Sequence, residues 1–158
     1  MSTKKIQLKI VTPERLVLEE LVDQVTLPTT EGEITILPEH IPLVAGLKSG
    51  DIVAMTNGEY VPMAVAGGFI EVKQDENKDT VVAILADYAE HVTEISDEAI
   101  AKAKTRSEEL KQQMQNKETV DFEHFESELE KSLTRIKIAD KWRSRKYRNN
   151  CRIILVLQ

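Results

Sequence analysis

Apolar and polar residues alternate in the first half of the chain, and the apolar ones recur at helical spacing in the second. Ile6, Leu8 and Ile10 alternate with Gln7 and Lys9, the period of two of a half-buried strand. Val22, Val25 to Leu27 and then Ile34 to Leu37 continue the β-branched bias. Turn formers at Thr29 to Gly32 and Leu37 to Pro42 separate these runs. Ile52 to Thr56 and Tyr60 to Ala66 flank Asn57-Gly58. That pair predicts a two-residue hairpin, because both central residues of a type I′ turn need positive φ. Pro62 removes a ladder donor and places its strand at an edge or a bulge. Phe69 to Lys73 and Thr80 to Ala86, joined by polar Gln74 to Asp79, predict a second hairpin. Many short strands with frequent turns specify a small β-sandwich or barrel rather than an α/β sheet.

From Ile95 the period changes. Ile95, Ala99, Ile100, Ala103, Leu110 and Met114 fit one helical face, with Ser96 as N-cap and Asp97 and Glu98 in the first turn. After polar Gln115 to Glu118, Phe122, Phe125, Leu129, Leu133 and Ile136 mark a second helix, with Thr119 as N-cap and Asp121 in its first turn. Two amphipathic helices joined by a short link form an antiparallel hairpin. Each buries a single stripe, so the pair is marginal without the β domain or a partner.

The net charge of −6 conceals an asymmetry. Between Arg135 and Arg152 the chain has eight basic residues against one acid, Asp140, a local charge of +7 that leaves −13 on the rest. Such a run is either a solvated helix end or a contact for an acidic surface of protein, membrane or nucleic acid. Trp142 and Tyr147 stand among the arginines, either to stack bases or to pack on the hairpin. The acidic body argues against nucleic acid. One cysteine, Cys151, excludes an internal disulfide framework, and no apolar run approaches the ~18–20 residues of a membrane span. A polar Met1 to Lys5 leading into a strand argues against a cleaved signal, so a soluble intracellular protein is expected. Catalytic chemistry is not in evidence. There is no nucleophile motif, phosphate loop or dinucleotide fingerprint, and His40, His91 and His124 have no metal-ligand spacing. Gly67-Gly68 reads as a bulge or a close backbone approach.

The segment Thr30-Glu31-Gly32-Glu33-Ile34-Thr35-Ile36-Leu37-Pro38-Glu39-His40-Ile41-Pro42-Leu43 resembles a signature loop of the epsilon subunit of bacterial F-type ATP synthases. Further matches lie in order around it: Ile10-Val11-Thr12-Pro13-Glu14, Leu47-Lys48-Ser49-Gly50, Gly67-Gly68-Phe69-Ile70-Glu71-Val72, Val82 to Asp87, and Ala89-Glu90. The resemblance spans about residues 5 to 146. It implies an α+β fold, an N-terminal antiparallel β-sandwich (residues 1–87) followed by an antiparallel helical hairpin (residues 88–146). Residues 147–158 form an atypical tail with no counterpart in the family, and their apolar end either docks on a partner or has no function.

By the same resemblance the chain is not an enzyme, needs no cofactor and holds no metal. It is a rotor subunit of a proton-translocating complex at the cytoplasmic face of the bacterial cell membrane. Its implied partners are the gamma subunit, the c-ring and the catalytic alpha/beta head, and it meets the membrane only through that complex. Glu31 and His40 match the ring-facing loop; the alternative is that Glu31 caps a turn and His40 packs beside Pro42. Lys131 and Arg135 stand where the family places basic residues that meet the catalytic head when the hairpin extends and blocks ATP hydrolysis. Some members hold ATP in the folded hairpin, and Glu90, Asp97, Lys131 and Arg135 are the matching candidates here. Ile100 stands in place of that motif's arginine, so weak or no ATP binding is expected. A freestanding regulatory adaptor, binding an acidic protein through its basic helix, is the competing reading.

Overall fold

The computed structural model describes the backbone of residues 4–115 and 122–156 and the side chains of 4–115 and 123–145. Eight strands come first: β1 (Ile6–Val11), β2 (Leu16–Val22), β3 (Gln24–Thr29), β4 (Gly32–Ile36), β5 (Leu43–Gly46), β6 (Gly50–Thr56), β7 (Glu59–Gln74) and β8 (Thr80–His91). A single 3₁₀ turn, Val92–Glu94, precedes α1 (Asp97–Gln115) and α2 (Phe122–Val156). The chain divides into two units, residues 1–91 and 92–158.

The first unit is the β-sandwich. Its strands hydrogen-bond in the order β2-β1-β8-β7-β6-β3-β4, with β5 also on β7. The two long strands belong to both layers. The first half of β7 pairs with β6 (Gly50↔Val65 to Thr56↔Glu59), and its second half with β5 (Leu43↔Val72 to Gly46↔Phe69). β8 follows β7 throughout, from Gln74↔Thr80 to Met63↔His91. One layer therefore holds β5, β7, β8, β1 and β2, and the other β4, β3, β6 and the remaining halves of β7 and β8. All pairs are antiparallel except β1 with β8. Between the layers, Ile6, Leu8, Ile10, Val25, Leu27, Ile36, Ile52, Ile70 and Ile84 are fully buried.

The turn between layers falls at Gly67-Gly68, with φ of 63° and 116°. The β7–β8 register does not shift across it, so this is a close backbone approach and not a bulge. Asn57 and Gly58, with φ of 52° and 81°, make the expected two-residue β6–β7 turn. Pro62 lies opposite Val53, one residue before β8 begins to pair at Met63, so β7 is locally an edge there. The sandwich outruns residue 87, because Tyr88 to His91 still pair with Met63 to Ala66 and Ala89 is buried.

The second unit is the helical hairpin. Ser96 caps α1, its Oγ accepting the Ala99 N–H at 3.1 Å. Ile95, Ile100, Ala103, Ser107 and Leu110 are buried with Phe125, Thr134, Ile138 and Ala139 of α2. Ala103, Ser107, Thr134 and Ala139 are small, so the stripe is narrow. The helical backbone of α2 continues past residue 146 to Val156, through the segment read as a tail. Thr119 and Asp121 lie outside the described residues.

Candidate functional site

Glu31 sits at the tip of the two-residue turn from β3 to β4, where Thr29 pairs with Gly32. The Thr29 hydroxyl donates to the Gly32 carbonyl and accepts the Glu31 N–H at 3.2 Å, so the turn is held by Thr29 and the Glu31 side chain is exposed. His40 lies beyond the other end of β4, in the turn to β5. Its N–H donates to the Leu37 carbonyl at 3.2 Å, and its Nδ1 lies 2.7 Å from the Ile41 carbonyl oxygen. Roughly 17 Å of strand separates the two turns, at ~3.3 Å for each of five residues. The structure does not bring Glu31 and His40 together.

The His40 turn is anchored to the sandwich. The Glu39 N–H donates to Thr80 Oγ1 at 2.7 Å, and Lys4 pairs with the Glu39 carboxylate. That hydrogen-bonded cation holds the Glu39 carboxyl below the usual carboxylate range. Leu37 and Ile41, on either side of His40, are 53% and 73% exposed. Around His40, then, the turn offers apolar side chains more than charge.

A larger apolar surface crosses the outer face of the β5-containing layer. Leu16, Val11, Leu85 and Phe69 lie opposite one another in register across β2, β1, β8 and β7. Residues directly opposite in a sheet share a face. Leu16 is 50%, Leu85 60% and Phe69 64% exposed, whereas the neighbouring Ile10, Ile84 and Ile70 are fully buried. Sequence reasoning missed this row. The available signal was β8 itself, which is apolar at both parities from Val81 to Ala86, as a strand with two covered faces would be.

In the hairpin, Asp97 at the start of α1 pairs with Arg143 of α2, whose other terminal nitrogen donates to the Ile95 carbonyl at 3.1 Å. Arg106 pairs with Glu128 at 2.9 Å and with Glu109 at 3.5 Å. The Arg106 hydrogen bond holds Glu128 below the usual carboxylate range. These contacts fix the helices antiparallel. They also separate the nucleotide candidates. Arg135 and Lys131 lie roughly 12 and 18 Å back from Arg143 along α2, at ~1.5 Å per residue. Both are half-buried on the flank of the stripe. Glu90 belongs to the sandwich unit and accepts a hydrogen bond from the Tyr88 hydroxyl. Asp97 is thus met by a guanidinium from its own chain, and Ile100 beside it is buried in the stripe. Among the described residues, no cluster of His, Cys, Asp or Glu has the arrangement to hold a metal ion.

Residues 5–92 match the model of the β-sandwich domain of the ATP synthase delta/epsilon chain. The ATP synthase epsilon chain of Desulforamulus reducens is 40% identical over 138 residues, covering 87% of this chain and 98% of that protein. The epsilon chain of Herpetosiphon aurantiacus is 39% identical over 140 residues, covering 89% and 98%. Among solved structures, a chain of the Euglena gracilis mitochondrial ATP synthase OSCP/F1/c-ring assembly superposes with a TM-score of 0.60. It is 27% identical, and the match covers 80% of this chain and 76% of that one. A chain of the Tetrahymena thermophila mitochondrial ATP synthase central stalk and c-ring shares the fold, with a TM-score of 0.52 at 14% identity, covering 89% and 98%.

Proposed function

The chain belongs to the ATP synthase delta/epsilon family as an accessory epsilon chain, not a catalytic one, and from that premise we propose a division of labour between its two units. The sandwich docks on the gamma subunit and on the c-ring, at the foot of the central stalk on the cytoplasmic face of the bacterial membrane. It transmits torque between the proton-driven ring and the catalytic alpha/beta head. The hairpin is the regulatory unit. When it extends, Lys131 and Arg135 meet an acidic surface of the head and restrain ATP hydrolysis.

The observation that carries the docking role is the row Leu16, Val11, Leu85 and Phe69. A sandwich of this size has no need to leave a leucine and a phenylalanine side by side in water on a sheet face. Leu37 and Ile41 beside His40 supply a second apolar contact at another edge. The narrow small-residue stripe supports the hairpin's role, since a switch requires two arrangements of similar free energy.

The test is co-purification from the native membrane. Tagged chain is expected to bring down gamma and the catalytic subunits. A Phe69→Glu/Leu85→Glu variant that folds normally is expected to lose them, because two carboxylates would be buried unpaired. Retention of every partner by that variant would remove the row from the interface. Failure of the unmodified chain to bring down gamma would end the stalk reading.

A further inference from the structure

We propose that Arg143 is the latch of the helical hairpin: its guanidinium closes the open end, and its release from Asp97 lets α2 part from α1. The chain joins the two helices at one end only, between Gln115 and Phe122. The opposite end, where Asp97 begins α1, is held by non-covalent contacts alone, so separation of the helices starts there. Arg143 occupies that end and reaches across it twice. One terminal nitrogen donates to the Asp97 carboxylate, and the other donates to the Ile95 carbonyl at 3.1 Å. These acceptors flank Ser96, the residue that caps α1. A single planar fork therefore clasps both the first residue of α1 and the backbone that leads into it.

Position and exposure make this contact easy to open. Arg143 follows buried Ala139 by one turn on the same side of α2, at the outer end of the stripe that holds Ile95, Ile138 and Ala139. Asp97 is 89% and Arg143 45% exposed, so water and salt screen the pair. The other pair between the helices, Arg106 with Glu128, lies further along α1 toward the link, and it can persist while the open end parts. The stripe itself has little apolar burial to spare, because Ala103, Ser107, Thr134 and Ala139 are small. Against such a background a severalfold change in one equilibrium constant alters how often the end is open. The consequence for ATP hydrolysis rests on the division of labour proposed above, in which a released α2 is the form that meets the catalytic head.

The experiment is a double-mutant cycle on the full-length chain, read by native-state hydrogen exchange of the α1 amides from Ile100 to Lys104. At low salt, Asp97→Asn is expected to speed their exchange about two- to fivefold. Arg143→Met should speed it more, because the Ile95 bond goes as well. In the Arg143→Met background, Asp97→Asn is expected to add only the small effect of losing a first-turn carboxylate. Arg143→Lys, which keeps the charge and loses the fork, should fall between the unmodified chain and Arg143→Met. High salt should remove most of the Asp97→Asn effect, and Lys137→Met should leave exchange unchanged. Helical circular dichroism controls for folding. Exchange in Arg143→Met equal to that of the unmodified chain, or an Asp97→Asn effect of the same size with and without Arg143, would overturn the latch. In the assembled complex, Asp97→Asn leaves α2 unaltered and is expected to lower ATP hydrolysis. Unchanged hydrolysis beside an intact cycle would count against the restraint assigned to the hairpin, whereas failure of the cycle would count against the latch alone.

Discussion

Gly68 holds φ at 116°, and a Cβ there would stand 2.0 Å from the Leu85 carbonyl oxygen, a backbone atom that cannot swing aside. Gly68→Ala is therefore expected to destabilise the sandwich by about 3 kcal/mol or more in urea denaturation. Gly58→Ala meets no atom within 4 Å and carries only the strain of a positive φ. Its expected cost is about 1 kcal/mol. Equal costs would mean that the close approach between β7 and β8 is not what requires glycine. Both positions were legible in the sequence, Asn57-Gly58 as a turn and Gly67-Gly68 as a bulge or close approach. What the letters did not contain was that Gly67-Gly68 is the corner where two strands pass from one layer to the other. At Ile100, burial in the hairpin stripe leaves no donor for a phosphate, and Asp97 is already met by Arg143. Calorimetric titration with ATP is expected to show weak binding or none, and micromolar affinity would contradict this. The Asp97–Arg143 pair was not foreseen, because a run of arginines does not say which of them turns back toward α1.

The hairpin stands on a few side chains, of which Leu110 is fully buried. Leu110→Ala is expected to cost about 2–5 kcal/mol and to melt the helices while the sandwich stays folded. Loss of both units together in hydrogen exchange would contradict their independence. Acid should act on the same element. Glu128 titrates below the usual carboxylate range because Arg106 hydrogen-bonds its charged form. A lowered folded-state pKa adds stability above the unfolded-state value, and that contribution is lost as the pH falls through the lowered value. Helical circular dichroism of Glu128→Gln should therefore depend less on pH across the acidic range than that of the unmodified chain. α1 was legible from its cap and its periodicity. The length of α2 was legible only in retrospect: neither glycine nor proline occurs after Gly68, so nothing in the last third stops a helix. β2 escaped because an edge strand carrying Glu19, Glu20 and an exposed Leu21 shows no clean alternation. The parallel β1–β8 pair escaped because pairing between distant strands leaves no local pattern.

At the scale of the whole molecule, the sandwich runs to His91 and not to Asp87. A chain cut after Asp87 would lose the four residues of β8 that pair with Met63 to Ala66, along with buried Ala89. The informative cut therefore falls after His91. The candidate contacts are distributed over the surface: Glu31 and His40 mark opposite ends of β4, the apolar row crosses the outer sheet, and Lys131 and Arg135 flank the hairpin stripe. This suits a part whose work is to be held by several neighbours and fits no single catalytic pocket. Charge reversal at Lys131 and Arg135 with the subunit still bound should raise ATP hydrolysis, and unchanged hydrolysis would return those two residues to a merely solvated flank.

The division of labour is tested most directly by ATP synthesis and ATP hydrolysis in membranes whose only copy of this subunit ends at His91. Synthesis is expected to persist if the proposed docking surfaces, which lie in residues 1–91, suffice for coupling, and hydrolysis is expected to rise if the hairpin exerts the proposed restraint. Loss of assembly or of synthesis, or hydrolysis unchanged from that of the full chain, would contradict the account.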